Sequence, residues 1–195
     1  MHDHRNVDYL QQAYQDNWQQ YLVSLKHDTE LGWDVCVLTA SDERQAAMYR
    51  GQLEWRQAAG LLPRHTRFMV IPDPNGQRIG SGGATLRVLD QLAAEADTLT
   101  SGHVLIIHSG GDSRRVPHCS ATGKLFARLP RVLPDGRAST VFDEFLIGLS
   151  GLTRADLPPG VLIASGDVLL IFDHLKERAK LDSLWMRLNF LRFRR

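Results

Sequence analysis

Four short runs of aliphatic and β-branched residues, alternating with segments of helical periodicity, constrain the fold of this chain most. The predicted strands are residues 34–39, 67–71, 104–107 and 161–164, with another extended run at 168–172. The predicted helices are residues 8–31, the segment from an N-cap at Ser41 to Gly60, and residues 84–97 and 140–149. This alternation predicts an α/β fold in which helices cover both faces of a parallel or mostly parallel sheet.

The composition is that of an ordinary globular protein. Of the 195 residues, 43% are hydrophobic and 23% are charged, which excludes disordered and collagen-like chains. No apolar stretch approaches the roughly 18 residues that a membrane helix needs, and the polar N-terminus has no secretory signal. Cys36 and Cys119 are too few for a disulfide framework, and Cys119 with His108 and His118 matches no zinc spacing. We therefore expect a cytoplasmic protein. We also expect His108 to be a packed residue at a strand end and not a metal ligand.

Charge is distributed unevenly along the chain. Seven Lys or Arg residues against two acidic ones give residues 174–195 a net charge of +5, whereas the whole chain carries +1. The preceding part is mildly acidic and is not expected to bind nucleic acid. In the tail, Trp185 and several leucines recur at steps of three or four, which predicts an amphipathic helix with a basic face. This tail is either an interaction helix, able to mediate self-association, or the ordinary end of a globular domain.

The segment after the third strand has the composition of a phosphate-binding loop. Gly110 and Gly111 allow the backbone to turn sharply and to point N–H groups at an anion. Arg114 and Arg115 offer forked donors that match phosphate oxygens, and Lys124 adds a point charge. Ligands in open α/β sheets bind beyond the carboxyl ends of the strands, which is where this segment is predicted to lie. The alternative is a tight turn whose arginines are only solvated.

Two common nucleotide motifs are absent. Gly123-Lys124 does not complete a P-loop, because His118 and Leu125 stand where a glycine and a serine or threonine are needed. Residues 80–85 lack the third glycine of the dinucleotide fingerprint. These departures weigh against a Walker-type NTPase and against a nicotinamide enzyme. Residues 116–139, rich in Pro, Gly and Ser, are predicted to form a long functional loop.

A second glycine-rich segment, Gly80-Ser-Gly82-Gly83, precedes the helix predicted from Ala84. Three glycines in four residues would let the backbone approach a base or a ribose closely, and a helix N-terminus favours an anion. The alternative is a turn in which a glycine serves packing.

The fourth strand ends at Ser165-Gly-Asp167. A carboxylate at the end of a buried strand is well placed to hold Mg²⁺, which takes one or two carboxylates together with substrate phosphates. Ser-Gly-Asp is also a common turn. The metal interpretation gains weight because this is the second strand end with polar chemistry.

Four segments taken together resemble one family. They are residues 80–86, 107–115, 121–126 and 165–167, and they look like the pyrophosphorylase part of the bifunctional fucokinase/fucose-1-phosphate guanylyltransferases. The resemblance extends over roughly residues 9–173. It implies a Rossmann-like, GT-A-type nucleotidyltransferase that converts GTP and fucose 1-phosphate into GDP-fucose and pyrophosphate with Mg²⁺.

The resemblance also implies roles for individual residues. Gly110, Gly111, Ser113, Arg114, Arg115 and Lys124 would form the triphosphate site, Gly82 and Gly83 would lie near the nucleotide, and Asp167 would hold the metal. The two arginines would stabilise the leaving pyrophosphate. Lys124 would hold the α-phosphate or the sugar phosphate.

The family pattern continues beyond the end of the resemblance, in a sugar-binding half, a second metal carboxylate and a sugar-kinase domain. We therefore expect residues 1–173 to be an incomplete nucleotidyltransferase domain and residues 174–195 to be a basic amphipathic tail. No ATP loop of the sugar-kinase type occurs in this sequence, so fucokinase activity is not expected. A non-catalytic nucleotide-binding fragment is the alternative to an active transferase.

Overall fold

The computed structural model describes residues 3–26, 32–95, 98–109, 123–150, 152, 158–166 and 168. The helices within these residues are α1 (Asp3–Lys26), α2 (Glu43–Ala58), α3 (Gly80–Ala93), α4 (Thr98–Ser101) and α5 (Val141–Leu149). The strands are β1 (Val35–Ala40), β2 (Arg67–Pro72), β3 (His103–His108), β4 (Arg128–Val132), β5 (Ala138–Thr140) and β6 (Gly160–Ser165). No helix in the described ranges is long and apolar enough to cross a membrane.

One parallel sheet organises the fold, with its strands in the order β2-β1-β3-β6. All six residues of β1 and five of the six in β3 are buried, as continuous apolar runs imply for strands covered on both faces. The core on one face joins Leu38 of β1 to Tyr49 of α2 and Phe142 of α5. The core on the other face joins Val37 to Val88 of α3. The predicted α/β class with a parallel sheet flanked by helices is confirmed.

Side-chain caps set the starts of α2 and α5. The Asp42 carboxylate accepts the Gln45 N–H at 2.7 Å, so the N-cap of α2 is Asp42 and the prediction of Ser41 is wrong. Ser41 lies one residue earlier, and its N–H donates to the Gln45 side chain. Thr140 caps α5 and forms a reciprocal capping box with Asp143.

Two segments predicted to be loops contain regular structure. The glycine-rich residues 80–83 form the first turn of α3, so the helix begins four residues before the predicted start at Ala84. Within the predicted loop at 116–139, β4 pairs antiparallel with β5. The turn between them contains Gly136 with a φ of +87°, a left-handed conformation that favours glycine. The hairpin packs its two short strands without joining the main sheet.

Some predicted elements lie outside the described residues. These are residues 27–31 at the end of the first predicted helix, the extended run at 168–172 apart from Val168, and the tail at 174–195. The division into residues 1–173 and 174–195 therefore stays a prediction.

A buried ion pair joins α2 to α5. Arg56 is 3% exposed, and its guanidinium donates to the two carboxylate oxygens of Asp143 at 3.0 and 3.3 Å. Its remaining donors bond to the side chains of Gln52 and Thr140. The ring of Phe126 lies 5.0 Å from the guanidinium carbon. Because each guanidinium nitrogen has a partner, we interpret this group as a structural clamp that fixes the start of α5 against α2.

Candidate functional site

The chain reverses its progress across the sheet between β1 and β3. It passes from β1 through α2 to β2 on one side, and then through α3 to β3 on the other side of β1. The helices α2 and α3 consequently lie on opposite faces of the sheet. In open parallel sheets such a reversal leaves a crevice beyond the carboxyl ends of the two strands, where ligands bind. A ligand site is therefore expected at the carboxyl ends of β1 and β3.

A cleft of about 170 Å³ opens at this point, and we call it the switch-point cleft. Its residues come from the carboxyl ends of three parallel strands and from the stretch that enters α3. They are Thr39, Ala40, Ser41, Asp73, Arg78, Gly80, Ser81, Ala84 and His108. Hydroxyl, carboxylate, guanidinium and imidazole groups thus line one small volume.

His108 closes β3 and bonds to a threonine on each side. Its Nδ1 lies 3.2 Å from Thr39 Oγ1, and its Nε2 lies 2.8 Å from Thr85 Oγ1. Thr85 donates its single hydroxyl proton to the Ser81 carbonyl at 2.9 Å, so it accepts from Nε2–H, and Nδ1 accepts from Thr39. The network therefore assigns a neutral ring protonated on Nε2. Burial lowers the pKa of His108, with Asp73 opposing this effect, and His108 is the packed strand-end residue that the sequence predicts.

The neutral state of His108 leads to a pH dependence. The pKa of His108 is lowered in the folded chain. As the pH falls below about 6.5, the imidazole of His108 is therefore protonated first in the unfolded chain. The stabilising contribution of neutral His108 should be complete above that pH and should be lost on the way down to the folded pKa. Urea unfolding of the wild type and of His108→Asn across this window measures the effect. The stability difference between the two proteins should shrink as the pH falls, and a constant difference would contradict the assignment.

Three of the predicted site residues lie within the described parts of the chain. Gly82 and Gly83 are in the first turn of α3. A Cβ on Gly83 would lie 2.8 Å from the Cβ of Ile79, so packing requires glycine there, whereas Gly82 faces open space. Lys124 is half-exposed and opens a short 3₁₀ turn, Lys124–Phe126. None of the three is among the residues that line the switch-point cleft.

The other predicted site residues, Gly110, Gly111, Ser113, Arg114, Arg115 and Asp167, lie outside the described residues. Their described neighbours meet at the carboxyl edge of the sheet. The Gly166 N–H donates to the His108 carbonyl at 2.8 Å, and a Cβ on Gly166 would lie 3.1 Å from the Cβ of Ser109. Ser109 directly precedes the predicted phosphate loop, and Gly166 directly precedes the predicted metal ligand. The residues that directly precede the two predicted segments therefore meet at the carboxyl edge of the sheet.

Mg²⁺ is the metal that the sequence implies. Within the described ranges, no group of three or more His, Cys, Asp or Glu side chains is arranged to hold a metal ion. Asp73 brings a carboxylate to the cleft, and Asp167 is next in sequence to Gly166. Mg²⁺ commonly uses one or two carboxylates and completes its shell with phosphates and waters. The Asp73 carboxylate therefore suits a Mg²⁺ ion that completes its shell with phosphate and water, to which Asp167 would add a second carboxylate.

A larger open pocket of about 800 Å³ lies between α2 and the β4–β5 hairpin. Its buried charge, Arg56, is already bonded within the protein, and its neighbour Trp55 is 56% exposed. This pocket lies on the helical flank and not at the strand ends. We therefore assign the candidate chemistry to the smaller switch-point cleft.

Sequence reasoning does not identify three residues that build the site. Thr39 has a usable signal, since it is a buried polar residue at the carboxyl end of an apolar strand. In the sequence Thr85 stands out only because it replaces the third glycine of the dinucleotide fingerprint, whereas in the structure its hydroxyl bonds to His108. Tyr49 belongs to the apolar face of a predicted helix, and nothing in the sequence indicates that its hydroxyl donates to the Ser109 carbonyl.

Comparison with known proteins relates this chain to one family. Residues 96–186 match the family model described as the fucose pyrophosphorylase domain. A bifunctional fucokinase/GDP-fucose pyrophosphorylase from Arabidopsis thaliana is 36% identical over 186 residues, a match that covers 82% of this chain and 18% of the relative. No solved structure matches this chain.

Two mammalian relatives are named fucose-1-phosphate guanylyltransferase. The human protein is 42% identical and the mouse protein 37% identical, each over 141 residues that cover 72% of this chain and 23% of the relative. The chain thus spans about a fifth of the length of the curated relatives it matches. These matches confirm the resemblance to the fucokinase/fucose-1-phosphate guanylyltransferase family that the four sequence segments predict.

Proposed function

We propose that this chain forms the nucleotide-binding part of a sugar-1-phosphate nucleotidyltransferase that uses GTP and fucose 1-phosphate and releases GDP-fucose and pyrophosphate. The observation that carries the proposal is the meeting of Ser109 and Gly166 beside the switch-point cleft, because the predicted phosphate and metal segments follow them directly. The names of the relatives support the choice of substrates.

In this reaction the protein mainly positions the two substrates and neutralises their phosphate charges. A phosphate oxygen of the sugar phosphate attacks the α-phosphorus in line, and pyrophosphate leaves with the electron pair of the broken P–O bond. Arg114 and Arg115 would hold the oxygens of the leaving pyrophosphate with their forked donors. Lys124 would neutralise the α-phosphate or the incoming sugar phosphate. Asp167 would hold Mg²⁺, which supplies positive charge to the phosphate oxygens.

The start of α3 would contribute backbone donors to the same ligand. No side chain caps this helix, whose N-cap residue is Ile79, so its first N–H groups are not satisfied by a capping side chain. Gly80 and Ser81 of this turn line the cleft. An anionic group there would benefit from the helix dipole and from the short side chains of Gly80 and Ser81.

A non-catalytic nucleotide-binding role is the second candidate. It is favoured by one observation, since the chain spans only 18–23% of the relatives whose names include the transferase activity. Binding of the nucleotide alone gives no rate enhancement unless the second substrate is also oriented.

A pyrophosphate-release assay measures the transferase activity that this chain has by itself. With GTP, Mg²⁺ and fucose 1-phosphate, we expect turnover to be weak or missing, well below the enzyme median of about 10 s⁻¹. Omission of fucose 1-phosphate serves as the control for simple GTP hydrolysis. Turnover near that median would contradict this expectation and would exclude the non-catalytic candidate.

A further inference from the structure

One buried side chain links the end of β3 to the residue before Lys124. Tyr49, on the second turn of α2, has no exposed surface, and its hydroxyl donates to the Ser109 carbonyl at 3.2 Å. Ser109 follows His108 and is itself tied to β1, because its hydroxyl donates to the Thr39 carbonyl at 2.7 Å. The Tyr49 hydroxyl is therefore fixed to the rim of the switch-point cleft.

The same hydroxyl is in close contact with Gly123. The backbone of Gly123 has a φ of +70° and a ψ of 159°, a combination that is open essentially only to glycine. A Cβ at this position would lie 2.3 Å from Tyr49 Oη and 2.9 Å from a ring carbon. The Gly123 backbone thus lies directly against the phenol ring, which leaves no room for a side chain.

The Tyr49 ring also packs against Phe126. The Phe126 ring meets the Tyr49 ring edge-on, with centroids 5.2 Å apart. Phe126 ends the 3₁₀ turn that Lys124 begins, and the Ala127 N–H donates to the Lys124 carbonyl at 3.1 Å. Tyr49 therefore contacts the chain immediately before Lys124 and again at the end of its turn.

We propose that Tyr49 is a positioning residue that holds the Lys124 backbone at a fixed place relative to the carboxyl end of β3. This proposal rests on the role assigned to Lys124 under the proposed function. Tyr49 has no exposed surface with which to contact a ligand, so it acts through its neighbours. Its hydroxyl is a suitable tether because a buried phenol needs a partner, and the Ser109 carbonyl supplies it.

A double-mutant cycle on GTP binding tests the proposal in the full-length chain. Tyr49→Phe removes the hydroxyl and keeps the ring that packs on Phe126. We expect it to weaken Mg²⁺–GTP binding about 3- to 10-fold, the equivalent of one hydrogen bond. In the Lys124→Ala background the same change should have no further effect, because the group that Tyr49 positions is gone. Equal losses in both backgrounds, or no loss in either, would overturn the proposal.

Tyr21→Phe is the matched control. Tyr21 is also buried, and its hydroxyl donates to the Leu61 carbonyl at 2.8 Å. Both substitutions remove one phenol–carbonyl bond, and Tyr21→Phe also removes a contact between the hydroxyl and the Arg137 guanidinium, so the control should lose at least as much thermal stability. Only Tyr49→Phe should change the affinity for GTP. An equal loss of affinity in Tyr21→Phe would attribute the effect to general destabilisation and overturn the proposal.

Hydrogen exchange tests the positioning role of Tyr49 independently of GTP binding. In Tyr49→Phe, the Ala127 amide should exchange faster than in Tyr21→Phe, since the turn at Lys124 loses its tether. Unchanged exchange at Ala127 would overturn the positioning role, whatever the chain binds. Faster exchange in a chain that does not bind GTP would support the tether and count against the proposed function alone.

Discussion

Replacing Arg56 with methionine is expected to lower the free energy of unfolding by about 3–5 kcal/mol, the usual cost of breaking a buried ion pair. Asp143 is only 5% exposed, and the substitution removes the cation that bonds to both of its carboxylate oxygens. It also removes a donor to the hydroxyl of Thr140, which caps α5. Urea unfolding followed by circular dichroism measures the loss.

Arg50→Met on the same helix is the matched control. The Arg50 side chain is 42% exposed and pairs with Glu43 at the surface, so its replacement should change stability by at most about 1 kcal/mol. An Arg56→Met/Asp143→Leu double variant should recover part of the loss, because no uncompensated buried charge remains. If Arg56→Met were as stable as Arg50→Met, the interpretation of this pair as a structural clamp would be wrong.

Replacing Arg114 with alanine is expected to weaken Mg²⁺–GTP binding by about 1.5–3 kcal/mol, or roughly 10- to 150-fold, which is the worth of a hydrogen bond to a charged group. The reason is the predicted contact between its guanidinium and phosphate oxygens. Isothermal titration calorimetry of the wild type and the variant gives the difference directly.

Arg128→Ala provides the comparison for this second change. Arg128 is an exposed arginine at the start of β4, and it lines the larger pocket and not the switch-point cleft. Its removal lowers the net charge by the same amount and should leave GTP affinity nearly unchanged. Equal losses in the two variants would indicate a general effect of charge, and the assignment of Arg114 to the triphosphate would fail.

The main sheet could be predicted from the sequence because its central strands, β1 and β3, are buried on both faces. Residues 35–38 and 161–164 are continuous apolar runs, and the structure places β1 and β6 within one residue of the predicted bounds. Parallel pairing followed from the intervening helices. The register could not be predicted, since it depends on contacts between distant segments such as Val35 with Val104.

Glycine and proline content misled the prediction where tertiary packing decides the structure. The glycines at 80–83 have low helix propensity, yet this turn is helical, and Gly83 there packs closely on Ile79. The β4–β5 hairpin contains Pro130, which weakens a strand signal, and both strands are short. In both cases a local preference gave way to contacts made elsewhere in the fold.

The candidate site was predictable in its residue types but not in its geometry. Glycines and polar groups at the carboxyl ends of strands pointed to the edge of the sheet at which the switch-point cleft lies. The hydrogen bonds of His108 to Thr39 and Thr85 depend on the neighbouring placement of β1, β3 and α3. Likewise, Tyr49 lies 60 residues before its partner Ser109, and only the folded chain brings the two together.

Calorimetric titration of the full-length chain with GTP, in the presence and in the absence of Mg²⁺, tests the central claim most directly. The claim is that a nucleoside triphosphate binds at the carboxyl edge where Ser109 and Gly166 meet. We predict saturable binding that is tighter with Mg²⁺, because phosphates and a carboxylate share the ion. The absence of binding at millimolar GTP, or an affinity that does not depend on Mg²⁺, would contradict this account.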